Sequence, residues 1–168
     1  RAAQGRLLLF LHADTRLPEG FAAQIRAALA RPGIVAGAFR FAIDAEGWRF
    51  RLLERGVNWR AAWLGLPYGD QALFLPAARF QNLGGFKEIA LLEDLELELR
   101  LRKIGRLILL KTPASTSPRR WLRLGLGRTT LVNQLILLGF FCGLSPARLA
   151  RWYGGDRGDN GGFPGKQE

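Results

Sequence analysis

Short apolar segments alternate with segments of helical character along most of this 168-residue chain. The apolar run at 6–11 has the length and composition of a buried strand. Phe21, Ile25 and Leu29 then recur every four residues, and Gly33 provides a stop, as in an amphipathic helix. The same reasoning predicts further strands at 34–44, 71–76 and 106–111, a polar loop at 112–120, and helices at 48–65, 77–83, 93–105 and 123–141. This alternation favours an α/β sandwich.

Composition narrows the class of protein. The chain is 48% hydrophobic and 23% charged, which indicates a globular domain with a real core. We predict one domain over residues 1–153 and a disordered tail over 154–168, where apolar periodicity is lacking. The net charge of +11 suits nucleic acid, an anionic membrane face or phosphorylated substrates. The arginines are dispersed and no nucleic-acid-binding motif is visible, so nucleic acid is the least favoured partner.

Three features bear on processing and location. The chain starts at Arg1 and contains no Met, so we expect it to be a fragment. Cys142 has no cysteine partner and stands among apolar residues, which predicts a buried thiol in a reducing compartment and hence a cytoplasmic protein. The apolar helix at 123–141 falls short of the ~20 residues that cross a bilayer. Core packing is its favoured use, and peripheral membrane contact is the alternative.

Polar clusters stand at the ends of apolar segments, where open α/β sheets bind ligands. His12 and Asp14 follow the first strand. The Asp14 carboxylate could hold a divalent cation on nucleotide phosphates, or it could cap the following turn. The second cluster, Pro67 to Gln71, suits hydrogen bonds to sugar hydroxyls, although Pro, Gly and Asp are also ordinary turn residues.

The third cluster is a pair of carboxylates, Glu93 and Asp94, at the predicted start of a helix. Such pairs are common as helix caps. If both face a cleft, one could act as a general base while its neighbour orients it or raises its pKa. Farther along the helix, Glu96 and Glu98 are predicted to be solvated partners of Arg100 and Arg102.

The fourth cluster is the stretch at 115–121, which ends in Arg119, Arg120 and Trp121. Adjacent arginines suit an anionic diphosphate, because the guanidinium group binds phosphate through a two-pronged fork. The indole would offer a stacking surface. The alternative is a solvated basic loop with Trp121 packed in the core.

In this order, the stretches HADT, GAFRF, PYGDQALF, LGGFKEIALLEDLELELRLRKIGRL and RRW resemble the family 2 glycosyltransferases. The closest likeness is to the bacterial radical-SAM/selenodomain-associated glycosyltransferase-like subgroup, over roughly residues 1–153. The resemblance implies a partial GT-A (Rossmann-like) mixed sheet flanked by helices, with C-terminal helices. It also implies a nucleotide-diphosphate sugar donor, a divalent metal (Mg²⁺ or Mn²⁺) and inversion at the anomeric carbon.

The resemblance assigns roles to the first and third clusters. The family's Asp-x-Asp metal motif falls on His12-Ala13-Asp14, so that only Asp14 is a carboxylate metal ligand and His12 would contact metal or phosphate. The family's catalytic Glu-Asp pair falls on Glu93 and Asp94. Asp94 is then the general base that takes the proton of an acceptor hydroxyl.

The other two clusters are assigned in the same way. The Gln-x-x-Arg-Trp motif of processive members falls on residues 117–121, where Arg120 and Trp121 match and Ser117 replaces Gln, which speaks against polymer synthesis. Arg119 or Arg120 would bind the leaving diphosphate. The residues beside the donor sugar or the acceptor would be Tyr68, Gly69, Asp70 and Gln71.

Two alternatives to sugar transfer stay open. The family begins with a nucleotide-binding segment that has no counterpart before Arg1. We therefore expect the fragment alone to be inactive, and the full-length parent to transfer sugar to an acceptor that the sequence does not identify. The chain could instead be a non-catalytic nucleotide-sugar-binding relative, or, less favoured, a basic nucleic-acid-binding domain.

Overall fold

The computed structural model describes residues 3–67 and 69–155. These residues form strands and helices in the alternating order that the sequence predicts. The strands are β1 (Leu7–Leu9), β2 (Thr15–Arg16), β3 (Ile34–Ile43), β4 (Phe74–Pro76) and β5 (Arg106–Thr116). The helices are α1 (Phe21–Leu29), α2 (Trp48–Leu64), α3 (Ala77–Asn82), α4 (Glu93–Ile104), α5 (Arg119–Leu124), α6 (Leu126–Phe141) and α7 (Pro146–Gly155), with a 3₁₀ turn at Gly69–Gln71.

The five strands form one mixed sheet in the order β1-β4-β3-β5-β2. The two long strands, β3 and β5, run parallel at its centre, in a register that begins with Ile34 opposite Arg106 and ends with Ile43 opposite Thr116. The remaining pairs are antiparallel. The predicted α/β class, a mixed sheet flanked by helices, is confirmed.

The sheet buries an apolar cluster on each face, because successive residues of a strand point to opposite sides. Phe39 and Phe74 pack with Ile25 of α1 in one cluster. Leu75, the neighbour of Phe74, belongs to the other, together with Leu97 of α4. Helices α1 and α4 are therefore fixed to the sheet through their apolar faces.

Side chains of α2 take the place of a neighbouring strand along the second half of β3. Beyond Gly37, which lies opposite Phe74, β4 no longer pairs with β3. There the Asn58 amide accepts a hydrogen bond from the Phe41 N–H and donates one to the Phe41 carbonyl, both at 2.8 Å. The Glu54 carboxylate accepts a hydrogen bond from the Ile43 N–H at 2.6 Å. Asn58 and Glu54 are buried for this reason.

Several predicted boundaries are wrong. The segment 112–120, predicted as a loop, continues β5 to Thr116 and then begins α5. The helix predicted over 123–141 is interrupted at Gly125, whose φ of 83° is left-handed, so that α5 and α6 are separate helices. Helix α7 was not predicted. It includes the first two residues of the segment predicted as a disordered tail, and residues 156–168 lie outside the described residues.

The chain divides into two compact units. Among the described residues, one comprises 3–67, 69–88 and 93–120, and the other 89–92 and 121–155. In the second unit, α6 and α7 pack closely, since a Cβ at Gly139 would lie 2.8 Å from Leu149. Cys142 is exposed, which contradicts the predicted buried thiol, because it lies on the outer side of α6 beside exposed Leu138 and Phe141. Among the described helices, none is both long and apolar enough to cross a membrane.

Candidate functional site

Three carboxylates converge in the first unit, and we call them the acidic cluster: Asp70, Asp94 and Glu98. Asp70 belongs to the 3₁₀ turn, Asp94 to the first turn of α4, and Glu98 to its second turn. The charge of Asp94 raises the pKa of both other carboxyl groups. The structure thus brings together residues from two separate segments of the chain.

Helical periodicity explains how α4 contributes two members of the cluster. Asp94, Glu98 and Leu101 follow one another at spacings of four and three residues, so they share one face of the helix. That face is buried, and Glu98 is 0% exposed. The prediction that Glu98 is a solvated partner of an arginine is wrong, because its helical position is on the packed side. Glu96, on another face, does pair with Arg100, at 2.7 Å.

Burial determines the protonation behaviour of the cluster. Burial, followed by the charge of Asp94, raises the pKa of Asp70 to about 6 against the opposing influence of His12 and Arg60. Burial also raises the pKa of Glu98 well above its ordinary value, again with a contribution from Asp94. Within residues 3–67 and 69–155, neither Glu98 carboxylate oxygen has a hydrogen-bond partner, and the same is true of Asp70 Oδ1. Asp70 and Glu98 therefore retain their protons at higher pH than ordinary carboxylates do.

His12 and Arg60 are the basic residues that act on the cluster. His12 follows β1 and is exposed, and its electrostatic influence lowers the pKa of Asp70. Arg60 extends from the half-buried side of α2 and acts on both Asp70 and Glu98. Sequence reasoning selected His12 and missed Arg60, because its role depends on how α2 is rotated against the sheet.

Asp14 lies at a different place, a cavity of about 370 Å³ that we call the Asp14 cavity. The backbone carbonyl of Asp14 accepts a hydrogen bond from the Ser117 N–H at 3.0 Å. Arg119 also lines this cavity, and its Nε donates a hydrogen bond to Ser117 Oγ at 3.1 Å. Asp14, predicted to bind the metal, and Arg119, predicted to bind the diphosphate, thus line one cavity together with Arg16 and Asp44, which pair at 3.4 Å, whereas His12 and Arg120 are not among its lining residues.

The Asp14 cavity is compatible with a divalent cation only if a ligand completes its coordination. No group of three or more His, Cys, Asp or Glu side chains suited to a metal is found among the described residues. Mg²⁺ commonly takes one or two protein carboxylates and completes its shell with phosphate oxygens and water. Asp14 and Asp44, both exposed and both lining the cavity, fit that requirement.

The remaining predicted residues occupy varied places. Gln71 is 0% exposed, and its amide donates a hydrogen bond to the Phe39 carbonyl at 3.1 Å, so its side chain anchors the turn that carries Asp70. Ala72, directly after Gln71, has a left-handed φ of 53°, a strained conformation for a residue with a Cβ. Gly69 begins the 3₁₀ turn, and Tyr68 lies outside the described residues.

Three further predicted residues lie at helix starts. Glu93 is exposed in the first turn of α4. Arg120 is exposed at the start of α5, in the first unit, and Trp121 is half-buried in the second. Their predicted roles stay predictions.

A scan against protein-family models, a search of curated proteins and a search of solved structures each found no match for this chain. Membership of the family 2 glycosyltransferases therefore stays a prediction.

Proposed function

We propose that this chain carries the catalytic residues of an inverting glycosyltransferase, which moves a sugar from a nucleotide-diphosphate donor to an acceptor hydroxyl. The observation that carries the proposal is the electrostatic influence of His12 and Asp94 on the carboxyl of Asp70, although the three residues come from distant segments. The sequence resemblance selects all three residues. Their convergence beside a buried carboxyl, Glu98, supports proton-transfer chemistry at this place.

In this proposal Asp94 is the general base. It accepts the proton of the acceptor hydroxyl while the oxygen attacks the anomeric carbon and the bond to the diphosphate breaks, with inversion. Asp94 is only half-buried, so an acceptor can reach it, whereas Glu98 behind it is inaccessible. Burial raises the pKa of Glu98 well above its ordinary value and so favours the neutral carboxyl beside the base. Asp70 and Glu98 are positioning residues in this account.

The leaving diphosphate would bind in the Asp14 cavity. Arg119 supplies positive charge there, and Arg120 follows it in the chain. A divalent cation held by Asp14, with Asp44 beside it, would add charge neutralisation when bound. Because His12 and Asp14 are two residues apart, their Cα atoms are separated by at most about 7 Å. One short segment thus carries both His12, which acts on the acidic cluster, and Asp14, which lines the cavity. This spacing suits a sugar bound between the cluster and the cavity.

The general base is tested by changing Asp94→Asn in the protein. Release of nucleoside diphosphate from a panel of nucleotide sugars should fall by about 10²–10⁴-fold, because a positioned base contributes that much to rate. Glu88→Gln, which alters an exposed carboxylate outside the cluster, should leave turnover unchanged. Full activity of Asp94→Asn would refute the assignment.

The diphosphate site is tested separately by binding. Titration with uridine and guanosine diphosphates, with and without Mn²⁺, should show metal-assisted binding that Asp14→Asn and Arg119→Gln each weaken. Binding without turnover would favour the second candidate function, a non-catalytic nucleotide-sugar-binding protein. This alternative is supported by His12, which stands where the family's metal motif has a carboxylate. Absence of binding would count against both.

We further propose a cytoplasmic location with peripheral membrane contact. The free, exposed thiol of Cys142 supports a reducing compartment. On α6, the exposed side chains of Leu131, Leu135 and Leu138 lie on one side, as in helices that contact a membrane surface.

A further inference from the structure

Helix α2 exposes a stripe of large apolar side chains, which we call the tryptophan stripe: Trp48, Leu52, Trp59 and Trp63. They are spaced by four, seven and four residues and are 61–74% exposed. This spacing places them along one side of the helix. Trp59 and Trp63 stack on each other, with ring centroids 5.7 Å apart.

The stripe faces outward because the opposite side of α2 has a structural task. Glu54 and Asn58 must point inward to satisfy the backbone of β3. Helix α2 is thus polar where it meets the sheet and apolar where it meets solvent, the reverse of an ordinary surface helix. Exposed apolar surface of this size on a monomeric protein commonly marks an interaction site.

Positive charge flanks the stripe. Arg49, Arg51 and Arg55 are exposed on α2. Arg51 and Arg55 also line a cavity of about 310 Å³, the basic cavity, together with Arg40 and Lys111 of the neighbouring strands. Glu54 lines it too, but its carboxylate is held by the Ile43 N–H and, at 3.0 Å, by Arg51. Arg51 is thus engaged by Glu54 and by the Ile43 and Ala45 carbonyls, so that Arg40, Arg55 and Lys111 supply the positive charge that suits the cavity to an anion.

We propose that α2 docks the protein on an anionic lipid bilayer. The tryptophan stripe enters the interfacial region, where indole rings partition favourably, and the basic cavity receives a lipid phosphate. The helix lies in the plane of the membrane and does not cross it. The proposal is independent of the proposed sugar transfer, since vesicle binding requires no sugar donor, and it assigns membrane contact to α2 separately from the apolar side of α6.

Two other occupants fit the surface less well. A second copy of the chain would bring the flanking arginines of two α2 helices together, and like charges repel. A single-stranded nucleic acid needs accessible ring faces for its bases, whereas Trp59 and Trp63 already cover one face of each other.

Flotation of the 168-residue chain with vesicles tests the proposal. We expect co-flotation with vesicles that contain phosphatidylglycerol, little with pure phosphatidylcholine, and a blue shift of tryptophan emission on binding. The double variant Trp59→Ser/Trp63→Ser should weaken vesicle binding by at least about tenfold, because it removes most of the inserted apolar surface. Arg49→Gln and Arg55→Gln should each weaken it by about fivefold.

Matched controls separate α2 from other exposed surface. Trp152→Ser alters an exposed indole in α7, and Arg26→Gln alters an exposed arginine in α1; neither should change vesicle binding. Thermal unfolding of each variant checks that the fold is retained. The proposal is overturned if the chain does not bind anionic vesicles, or if Trp152→Ser weakens binding as much as the double variant does. Unchanged binding by the double variant would also overturn it. The proposal is likewise overturned if the chain does not bind vesicles but binds an oligonucleotide, or associates with itself, through the tryptophan stripe.

Discussion

Asp70 shows how one residue links stability to the proposed chemistry. Its carboxyl has a pKa of about 6 instead of its ordinary 3.8. Between these values the folded chain binds a proton more tightly than the unfolded chain does, so the free energy of unfolding falls as pH rises. Above about pH 6 the full loss, at most about 3 kcal/mol, is present. Such a cost is tolerated more readily at a functional site than elsewhere.

The variant Asp70→Asn should therefore be more stable than the wild type near neutral pH, by up to about 3 kcal/mol, and nearly equal to it below about pH 4. Urea unfolding across this pH range measures the difference. Glu88→Gln, at an exposed carboxylate, should show little difference at any pH. A constant difference between Asp70→Asn and the wild type would contradict the raised pKa.

At the scale of single residues, the sequence indicates several of the interacting side chains but not the packing that gives each its role. His12, Asp70 and Asp94 were selected because polar clusters stand at the ends of apolar segments, and both His12 and Asp94 do influence the pKa of Asp70. The prediction for Glu98 is wrong because residue spacing identifies charge pairs but not which face of α4 packs on the sheet. The sequence does show that Glu98 follows Asp94 by four residues and so shares its face of the helix. Arg60 could not be found, since only the packing of α2 on the sheet gives it a role.

Among the elements, α2 is unusual because its inward side chains act as hydrogen-bond partners for a strand. Asn58→Ala should leave the Phe41 N–H and carbonyl buried with fewer partners and cost about 2–4 kcal/mol, since each unsatisfied buried group costs about 1–3 kcal/mol. Urea unfolding with Asn82→Ala, at an exposed position in α3, as the control measures this. A cost similar to that of the control would show that α2 is not needed to cover β3.

At Gly37, where β3 pairs with both β4 and β5, neighbouring atoms leave no room for a side chain. A Cβ there would lie 2.5 Å from Phe74 Cζ and 2.7 Å from Ile108 Cγ2. Gly37→Ala should thus lower the free energy of unfolding by about 1–3 kcal/mol. Gly56→Ala, where a Cβ meets nothing within 4 Å, should raise it by about 0.5–1 kcal/mol because alanine favours the helix. Equal effects in thermal or urea unfolding would contradict this packing.

The existence and type of most elements followed from periodicity, whereas their ends and partners did not. Strand β3 lies within one residue of its predicted bounds, and α1 contains the predicted repeat of Phe21, Ile25 and Leu29, since apolar spacing reflects the face that each buries. The extension of β5 to Thr116 could not be read from polar residues 112–116, because its pairing with β2 and β3 is a tertiary contact. The strand order likewise depends on distant residues.

For the molecule as a whole, the net charge of +11 produces attraction to any polyanion. We expect binding to DNA that is independent of sequence and falls steeply with added salt, because it depends on the release of counterions. Titration of a labelled duplex at several salt concentrations measures the slope. Asp94→Asn should leave this binding unchanged. Salt-resistant, sequence-selective binding would revive the nucleic-acid interpretation.

The pairing of α2 with β3 also has a consequence for aggregation. If α2 detaches, the backbone groups of Phe41 and Ile43 become an open strand edge, and an open edge can recruit a strand from another chain. Partial unfolding of this one helix would then convert a monomer into a seed for intermolecular β-sheet. A bilayer that holds α2 in place would suppress this aggregation. The same helix would then determine both the location of the protein and its tendency to aggregate.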